Sequence, residues 1–346
     1  MSSSIQKILD NHSQVVEEGY VNDSELRYKS YAVTTLRGGV GKSTLSFNLA
    51  YEISRKNSLL IADLCAQTNL TENIMRGVDY DTDILQSLQP ELLGAAFGDA
   101  PDDISYRVSS YCDSFKGGKK CFLIPGSAEL FSFPSTLYQQ LQIANTQNNQ
   151  AAVKNLLQIL KKVVEREAKE KSLKKIIMDT SPFYAGGTHL AWCASDAVII
   201  PVRVDEHSID SLELTLDLLS NPGKDFQIWN ERAGGLKSPK VAAVVMTMAG
   251  AKSQKKFTPD SASRMYIERA VSISEKYAHL FDYSDPRDAF AITDDFMSTG
   301  RISGAKSIPI DKLKVNSFHT VEGKRLQVNS SAERYKKELK YLVSIL

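Results

Sequence analysis

The fold is decided by the stretch Leu36-Arg37-Gly38-Gly39-Val40-Gly41-Lys42-Ser43-Thr44. Residues 31–36 before it are rich in β-branched side chains and predict a strand. Residues 43–55 after it have apolar side chains at helical spacing and predict a helix. Glycines at such a junction let consecutive N–H groups curl around a phosphate, and the helix start adds free N–H groups and the positive end of its dipole. The context therefore predicts a phosphate-binding loop.

Two side chains of this loop have expected roles in holding a nucleotide. Lys42 would reach the β- and γ-phosphates, and the hydroxyl of Ser43 would ligate Mg²⁺. The strict pattern begins with a glycine at the position where this chain has Leu36. The residues predicted to bind the nucleotide are Gly38, Gly39, Val40, Gly41, Lys42, Ser43 and Thr44.

The loop Gly38-Gly39-Val40-Gly41-Lys42-Ser43 resembles the deviant phosphate loop of the ParA/MinD family of ATPases. In that family a lysine just before the first glycine crosses to the partner's phosphates in an ATP sandwich dimer. Here the position holds Arg37. Arginine keeps the charge and adds a planar fork that suits phosphate. The resemblance implies that Arg37 takes part in catalysis across a homodimer that forms with ATP.

Three further segments follow in the family's order, and the resemblance extends over about residues 31–346. Residues 58–71 resemble its "D-x-D-P-Q-x-N" segment, with Asp63 in register. Residues 175–182 look like its Walker B strand and switch, and residues 195–202 resemble the strand that follows. Asp179 would hold Mg²⁺ through water, because Mg²⁺ prefers carboxylates and keeps much of its hydration shell.

Cys65 is the main departure from the family pattern, since it replaces the second aspartate of "D-x-D", which helps to position or activate the attacking water. A free thiol is mostly protonated at neutral pH and is a poor acceptor. Either hydrolysis is slow and depends on a partner or another residue, or the register slips and a neighbouring carboxylate serves. Asp63 is the acidic residue close by and is assigned this catalytic role, while Cys65 is expected to be a small packed residue.

The order of predicted elements indicates an α/β fold, with a mostly parallel doubly wound sheet and helices on both faces. The resemblance implies that this fold is that of a P-loop NTPase of the SIMIBI type. We expect a single domain over 31–346 with an insertion at about 77–120, preceded by an extension over 1–30 whose helical spacing favours packing over dimerisation or partner binding. Strands are predicted at 31–36, 58–63, 121–124, 175–179, 196–202 and 241–247, and helices at 43–55, 150–169, 208–219, 260–279 and 331–344.

The composition agrees with a soluble cytoplasmic enzyme, because 346 residues with 42% hydrophobic content can form a sizeable core. The N-terminus lacks the pattern of a signal peptide. No apolar run approaches the roughly 20 residues of a membrane span. The 4 cysteines have no C-x-x-C spacing, which argues against a zinc or iron–sulfur site and against a disulfide framework.

Charge is distributed unevenly along the chain. Residues 231–346 carry +7 and residues 1–230 carry −6, within a net charge of +1. Because the ParA family binds DNA nonspecifically when it is dimeric and ATP-bound, the resemblance implies a DNA surface whose affinity falls with salt. No helix-turn-helix is evident, so sequence-specific reading is not expected. The candidate DNA contacts, expected on loops and edges, are Arg301, Lys306, Lys312, Lys314, Lys324 and Arg325.

The resemblance therefore implies a ParA-like ATPase with ATP and Mg²⁺, nucleoid-associated when ATP-bound. A ParB-like partner would trigger its slow hydrolysis, and the cargo would be a plasmid, a chromosome region or another large body. A MinD-like ATPase at a membrane is an alternative, because Leu339, Leu342 and Leu346 give the terminal helix an apolar side, although such a helix more often packs on its own domain. A second alternative is an ATP-gated scaffold with very slow hydrolysis. A third alternative, a bacterial P-loop tyrosine kinase, is indicated only by Tyr335 and Tyr341.

Overall fold

The structure is a computed structural model that describes residues 5–94, 98–249 and 259–346. Residues 1–4 of the predicted extension and 95–97 of the predicted insertion lie outside these ranges. The strands of the central sheet are β1 (Ser30–Val33), β2 (Leu59–Leu64), β3 (Tyr106–Arg107), β4 (Cys121–Ile124), β5 (Lys175–Thr180), β6 (Ala197–Arg203), β7 (Lys240–Thr247) and β8 (Phe290–Ile292).

These strands form a mixed sheet in the order β3-β4-β2-β5-β1-β6-β7-β8. All neighbouring pairs are parallel except β3 and β4. The described residues also contain a separate antiparallel hairpin of β9 (Phe318–Val321) and β10 (Lys324–Gln327). The prediction of a mostly parallel sheet is confirmed.

Helices cover both faces of the sheet, as predicted. Side chains of β2 alternate between two hydrophobic clusters, with Leu60 and Ala62 in one and Leu59 and Ile61 in the other. This period of two is what a strand buried on both faces requires. The helices are α1 (Gln6–Glu18), α2 (Lys42–Ser54), α3 (Asn69–Met75), α4 (Ile84–Leu93), α5 (Phe133–Thr146), α6 (Gln150–Leu157), α7 (Ile159–Glu170), α8 (Gly186–Ala194), α9 (Glu206–Ser220), α10 (Asp225–Arg232), α11 (Ser261–Lys276), α12 (Met297–Lys306) and α13 (Ala332–Ser344).

The predicted helix over 150–169 is wrong as a single element. It divides into α6 and α7 at Gln158, whose φ of −100° and ψ of 4° interrupt the helix. Both halves contact α8, but α6 also packs on α5 and α10, whereas α7 also packs on α4 and β2. The break lets each half direct its apolar side to its own neighbours.

Both ends of the chain pack on the domain. Helix α1 buries Ile8, His12 and Val15 and contacts α13 and β8. The extension thus contains a packed helix, while the division of the chain at residue 30 stays a prediction. In α13, Leu339 and Leu342 are buried, so the apolar side needed for membrane binding is used in the core. Within the described ranges, no helix is both long and apolar enough to span a bilayer.

The tyrosine-kinase alternative also meets a structural obstacle. Tyr335 and Tyr341 are 1% and 5% exposed, and both lie in the core cluster that contains the inner side of α13. A tyrosine that is phosphorylated by another protomer has to be accessible. Neither side chain is accessible in this fold.

Candidate phosphate site

The predicted phosphate loop lies between the carboxyl end of β1 and the start of α2. Gly39 and Gly41 have φ values of 75° and 81°, in the left-handed region that favours glycine. No side chain of the described residues caps α2 at Gly41, so the first N–H groups of the helix face the loop without a side-chain acceptor. A Cβ added at Gly38 or Gly39 would meet nothing within 4 Å. The loop therefore presents its backbone to open space.

Three side chains of α2 converge on Asp179, which lies near the carboxyl end of β5, next to β1 in the sheet. Lys42 Nζ lies 3.2 Å from Asp179 Oδ1 and also donates to the carbonyl oxygen of Thr180. Ser43 Oγ donates to Asp179 Oδ2 at 2.9 Å. Ser46 Oγ donates to Asp179 Oδ1 at 2.7 Å. Asp179 is fully buried and Lys42 is nearly so, so each charge needs the other in this environment.

Ser46 was missed from the sequence, although a signal for it exists. It follows Ser43 by three residues on α2, and that spacing places two side chains on the same side of a helix. Both hydroxyls donate to the same carboxylate. The motif pattern stops one turn before Ser46, which is why motif reasoning did not include it.

Asp63 lies opposite Asp179 on the neighbouring strand and is fully buried. Its Oδ1 accepts from the backbone N–H of Cys65 at 3.0 Å, and its Oδ2 accepts from the N–H and hydroxyl of Thr71, both at 2.9 Å. Burial, with a further contribution from Asp179, raises the pKa of Asp63. Both oxygens hold the segment 65–71 in place, which favours a positioning role for Asp63 over direct contact with water.

Cys65 is a small packed side chain in the structure, 3% exposed. Burial raises the pKa of its thiol above the ordinary value, which keeps the thiol protonated at neutral pH. A protonated thiol cannot accept a proton from water. The structure therefore places no base at this position.

Arg37 is exposed at the start of the loop. The main chain on both sides is held, because the N–H of Leu36 donates to Ser211 Oγ at 3.1 Å and that of Arg37 donates to Thr35 Oγ1 at 3.4 Å. A fixed backbone with an exposed guanidinium suits contact with a group outside the protomer.

A cleft of about 520 Å³ opens beside Gly41 and Thr44, and sequence reasoning missed it. One wall includes Thr247 at the end of β7, whose hydroxyl donates to the carbonyl oxygen of Val40 at 3.2 Å. Another wall is the segment 294–298, which leads from β8 into the first two residues of α12. Strands β7 and β8 run parallel to β1, so their carboxyl ends reach the edge of the sheet where ligands of open α/β folds bind. The cleft and the loop form one continuous site.

The predicted DNA contacts fall on three neighbouring elements. The expectation of loops and edges was wrong for Arg301 and Lys306, which lie on α12. Gly304 does not break this helix; it gives room to α3, since an added Cβ would lie 2.7 Å from Asn73 Oδ1. Helix α12 packs on the hairpin of β9 and β10. All of the predicted contacts except Lys306 are exposed; beyond α12 they are Lys312 and Lys314 in the segment after it, and Lys324 and Arg325 on β10.

The site has the chemistry that a nucleotide with Mg²⁺ requires. The open loop and the uncapped start of α2 fit phosphate oxygens. Ser43 Oγ and Asp179 Oδ2 lie side by side and are the hard oxygen ligands that Mg²⁺ prefers. Across the described ranges there is no cluster of three or more His, Cys, Asp or Glu that could hold a metal by itself. A metal here would therefore take its remaining ligands from the phosphates and from water.

A doubly wound parallel sheet with a glycine loop after β1 and a carboxylate at the end of the adjacent β5 defines a P-loop nucleotide-binding protein. The model of the family AAA_31, described as an AAA domain, matches residues 28–225. The chain belongs to this family and is a P-loop ATPase of the ParA/MinD type. The resemblance stated from its motifs is thereby confirmed.

Similar proteins agree with this assignment. The chain is 26% identical over 255 residues to the sporulation initiation inhibitor protein Soj of Bacillus subtilis, a match that covers 72% of this chain and 88% of Soj. Two solved structures share the fold. McdA of Cyanothece in an ATP complex has a TM-score of 0.57 and 18% identity, covering 83% of this chain and 90% of McdA. A plasmid partition protein of Borrelia burgdorferi bound to AMPPNP has a TM-score of 0.51 and 17% identity, covering 92% of this chain and 99% of that protein.

Proposed function

We propose that this protein is a partition or positioning ATPase that binds ATP with Mg²⁺, closes into a dimer and then holds DNA without sequence preference. The convergence of Lys42, Ser43 and Asp179 beside an exposed glycine loop carries the proposal. Phosphoryl transfer needs a cation for the phosphates, oxygen ligands for Mg²⁺ and N–H groups at a helix start. All three lie together here.

Each part of the nucleotide has a proposed location. The phosphates would lie on residues 38–44, and the nucleoside would occupy the cleft beside Gly41. Ser43 and Asp179 would hold Mg²⁺, which neutralises phosphate charge when bound. Because Lys42 is already paired with Asp179, nucleotide binding would exchange one ionic partner of Lys42 for another. Catalysis would rest mainly on positioning and charge neutralisation.

The exposed Arg37 supports closure of two protomers around two nucleotides. A guanidinium that is exposed at the loop start can reach phosphates of a facing protomer, and its planar fork suits them. Each protomer would donate this charge to its partner's site. Dimerisation would then depend on nucleotide, because without phosphates the two guanidinium groups would have no anion to contact.

The basic surface formed by α12, the segment after it and β10 supports the DNA step. Closure of the dimer would bring two copies of this surface together and double the number of phosphate contacts. Affinity would rise steeply, since each neutralised phosphate releases counterions. A ParB-like partner would stimulate hydrolysis and release the DNA. In the cytoplasm the ATP-bound form would be associated with the nucleoid, and the cargo would be a plasmid, a chromosome region or another large body.

The environment of Cys65 favours slow hydrolysis. Its thiol is buried and protonated, and both oxygens of the neighbouring Asp63 are engaged in hydrogen bonds. This observation also favours a second candidate, a scaffold that ATP assembles and that hydrolyses ATP very slowly. The two differ in whether a partner can accelerate phosphate release.

Light scattering with and without ATP tests the proposal. Wild-type protein should dimerise with ATP, and Lys42→Ala should stay monomeric. Arg37→Ala should bind ATP as a monomer while its dimer weakens. An unchanged dimer fraction in Lys42→Ala would refute the mechanism. Loss of nucleotide binding by monomeric Arg37→Ala would show that Arg37 acts within its own protomer.

A further inference from the structure

The turn 294–298, which leads from β8 into the first two residues of α12, lines the nucleotide cleft and contacts α13 on its other side. The backbone N–H of Asp294 donates to Glu338 Oε2 at 3.1 Å. The Asp294 carboxylate forms an ion pair with Arg334. The ring of Phe296 packs edge-on against Tyr335, with 5.2 Å between ring centroids. The position of this wall of the cleft is therefore set by side chains of the terminal helix.

The same buried cluster extends to α1, at the other end of the chain. His12 Nε2 lies 3.7 Å from Glu338 Oε1, and the two side chains are 4% and 0% exposed. Two lysines secure the helix. Lys337 Nζ donates to the carbonyl oxygen of Val16 at 2.7 Å, and Lys7 pairs with Asp288 at 2.5 Å. The N-terminal helix therefore contacts the side chain that holds the cleft wall.

Glu338 is the junction of this cluster. One oxygen accepts from the turn, and the other lies 3.5 Å from Arg334 Nε and 3.7 Å from His12. Because Glu338 is fully buried, protein groups rather than bulk water surround its carboxylate, and these three are polar neighbours of it. A substitution of His12 alters the surroundings of Glu338 Oε1, and a substitution of Glu338 removes the acceptor of the N–H of Asp294.

We propose that Glu338 and His12 are positioning residues for the nucleoside end of the nucleotide site, acting through the turn 294–298. The docked N-terminal helix thereby increases nucleotide affinity from outside the site. The inference rests on the proposed function, since it requires a nucleoside in the cleft. It adds that α1 is part of the nucleotide-binding apparatus, although it touches no nucleotide.

Calorimetric titration with MgATP and with Mg-tripolyphosphate, which has no nucleoside, tests this inference. Glu338→Met keeps the length of the side chain and removes both acceptors. It should weaken ATP binding by about tenfold, on the order of the cost of leaving the N–H of Asp294 without its acceptor, and leave the tripolyphosphate Kd unchanged. Glu338→Gln keeps an oxygen for the N–H of Asp294 and should recover most of the affinity. If the methionine variant does not fold, His12→Leu carries the test.

Substitutions in α1 separate the inference from a general loss of stability. His12→Leu should weaken ATP binding by a smaller factor, about threefold, and should add nothing to Glu338→Met, because both act through one junction. The control is Val15→Ala, which removes buried methyl groups from the same helix without removing any polar contact of Glu338, and it should leave the ratio of ATP to tripolyphosphate affinity unchanged.

The titrations distinguish two kinds of failure. Equal losses for ATP and tripolyphosphate, fully additive effects of His12→Leu and Glu338→Met, or a change of the ratio in Val15→Ala would each overturn the inference and leave the proposed function intact. Wild-type protein that binds neither ligand would overturn both.

Discussion

The pair of Lys42 and Asp179 should stabilise the nucleotide-free protein as well as bind nucleotide. Lys42 Nζ lies 3.2 Å from Asp179 Oδ1, and the two side chains are 6% and 0% exposed. Lys42→Ala leaves a buried carboxylate whose side-chain donors, among the described residues, are the hydroxyls of Ser43 and Ser46. Breaking a buried ion pair from one side costs about 3–5 kcal/mol, because the remaining charge is neither hydrated nor balanced. We expect that loss in the free energy of unfolding of Lys42→Ala.

A double-mutant cycle measured by urea unfolding without nucleotide checks this magnitude. Lys42→Ala and Asp179→Asn should each destabilise the protein, and the double variant should lose less than their sum by about 2 kcal/mol or more. Nucleotide at 100 times its Kd should stabilise the wild type by about 2.7 kcal/mol and should stabilise neither variant that lacks Lys42.

Ser46→Ala is the matched control for this cycle. It removes one hydrogen bond to the same carboxylate and should cost about 1.5–3 kcal/mol while keeping the stabilisation by nucleotide. The reasoning would be refuted by a Lys42→Ala protein that is as stable as the wild type without nucleotide, or by strictly additive effects in the cycle. Either result would mean that Lys42 does not balance the charge of Asp179 before nucleotide binds.

Three further changes have defined outcomes. Cys65→Asp should raise basal phosphate release by about tenfold or more over the uncharged control Cys65→Asn, and equal rates in the two would show that water is activated elsewhere. Deletion of residues 334–346 should abolish cooperative unfolding, because it removes buried core residues. A truncated protein that still folds but no longer binds membranes would instead support a membrane-binding tail. Burial lowers the pKa of His189 from 6.5 to about 3, so the unfolded chain binds more protons than the folded protein below neutral pH. The free energy of unfolding should therefore fall by about 2 kcal/mol between pH 7 and pH 5. His189→Phe should reduce that loss. An equal fall of stability in the wild type and in His189→Phe would contradict this role of His189.

The elements around the phosphate loop were predictable because their signals are local. The strand before the loop, the helix after it and the strand that carries Asp179 were each predicted to within three residues of their observed ends. The hydrophobic periodicity of the sequence did not predict helices that have no solvent-facing side. Helix α8 is buried almost throughout, so it has no amphipathic pattern to read. Arg301 and Lys306 were expected on loops or edges, although they lie on α12, where Gly304 allows close packing against α3.

The rest of the site depends on contacts between distant parts of the chain. Nothing near His12 in the sequence indicates that it approaches Glu338, and nothing near Asp294 indicates that its N–H needs a carboxylate from the terminal helix. The cleft likewise forms from residues at or after the carboxyl ends of four strands, β1, β6, β7 and β8. Such contacts follow from the order of strands in the sheet, which local patterns do not specify.

Retention of nonspecific duplex DNA with ATP, with ADP and without nucleotide most directly tests the switch proposed for this protein. Retention should require ATP and should fall by about 10³-fold between roughly 50 and 200 mM salt. Lys324→Ala combined with Arg325→Ala should weaken retention and preserve the ATP-dependent dimer. DNA retention that is equal in the three nucleotide states, or absent in all of them, would contradict a DNA-binding switch driven by ATP.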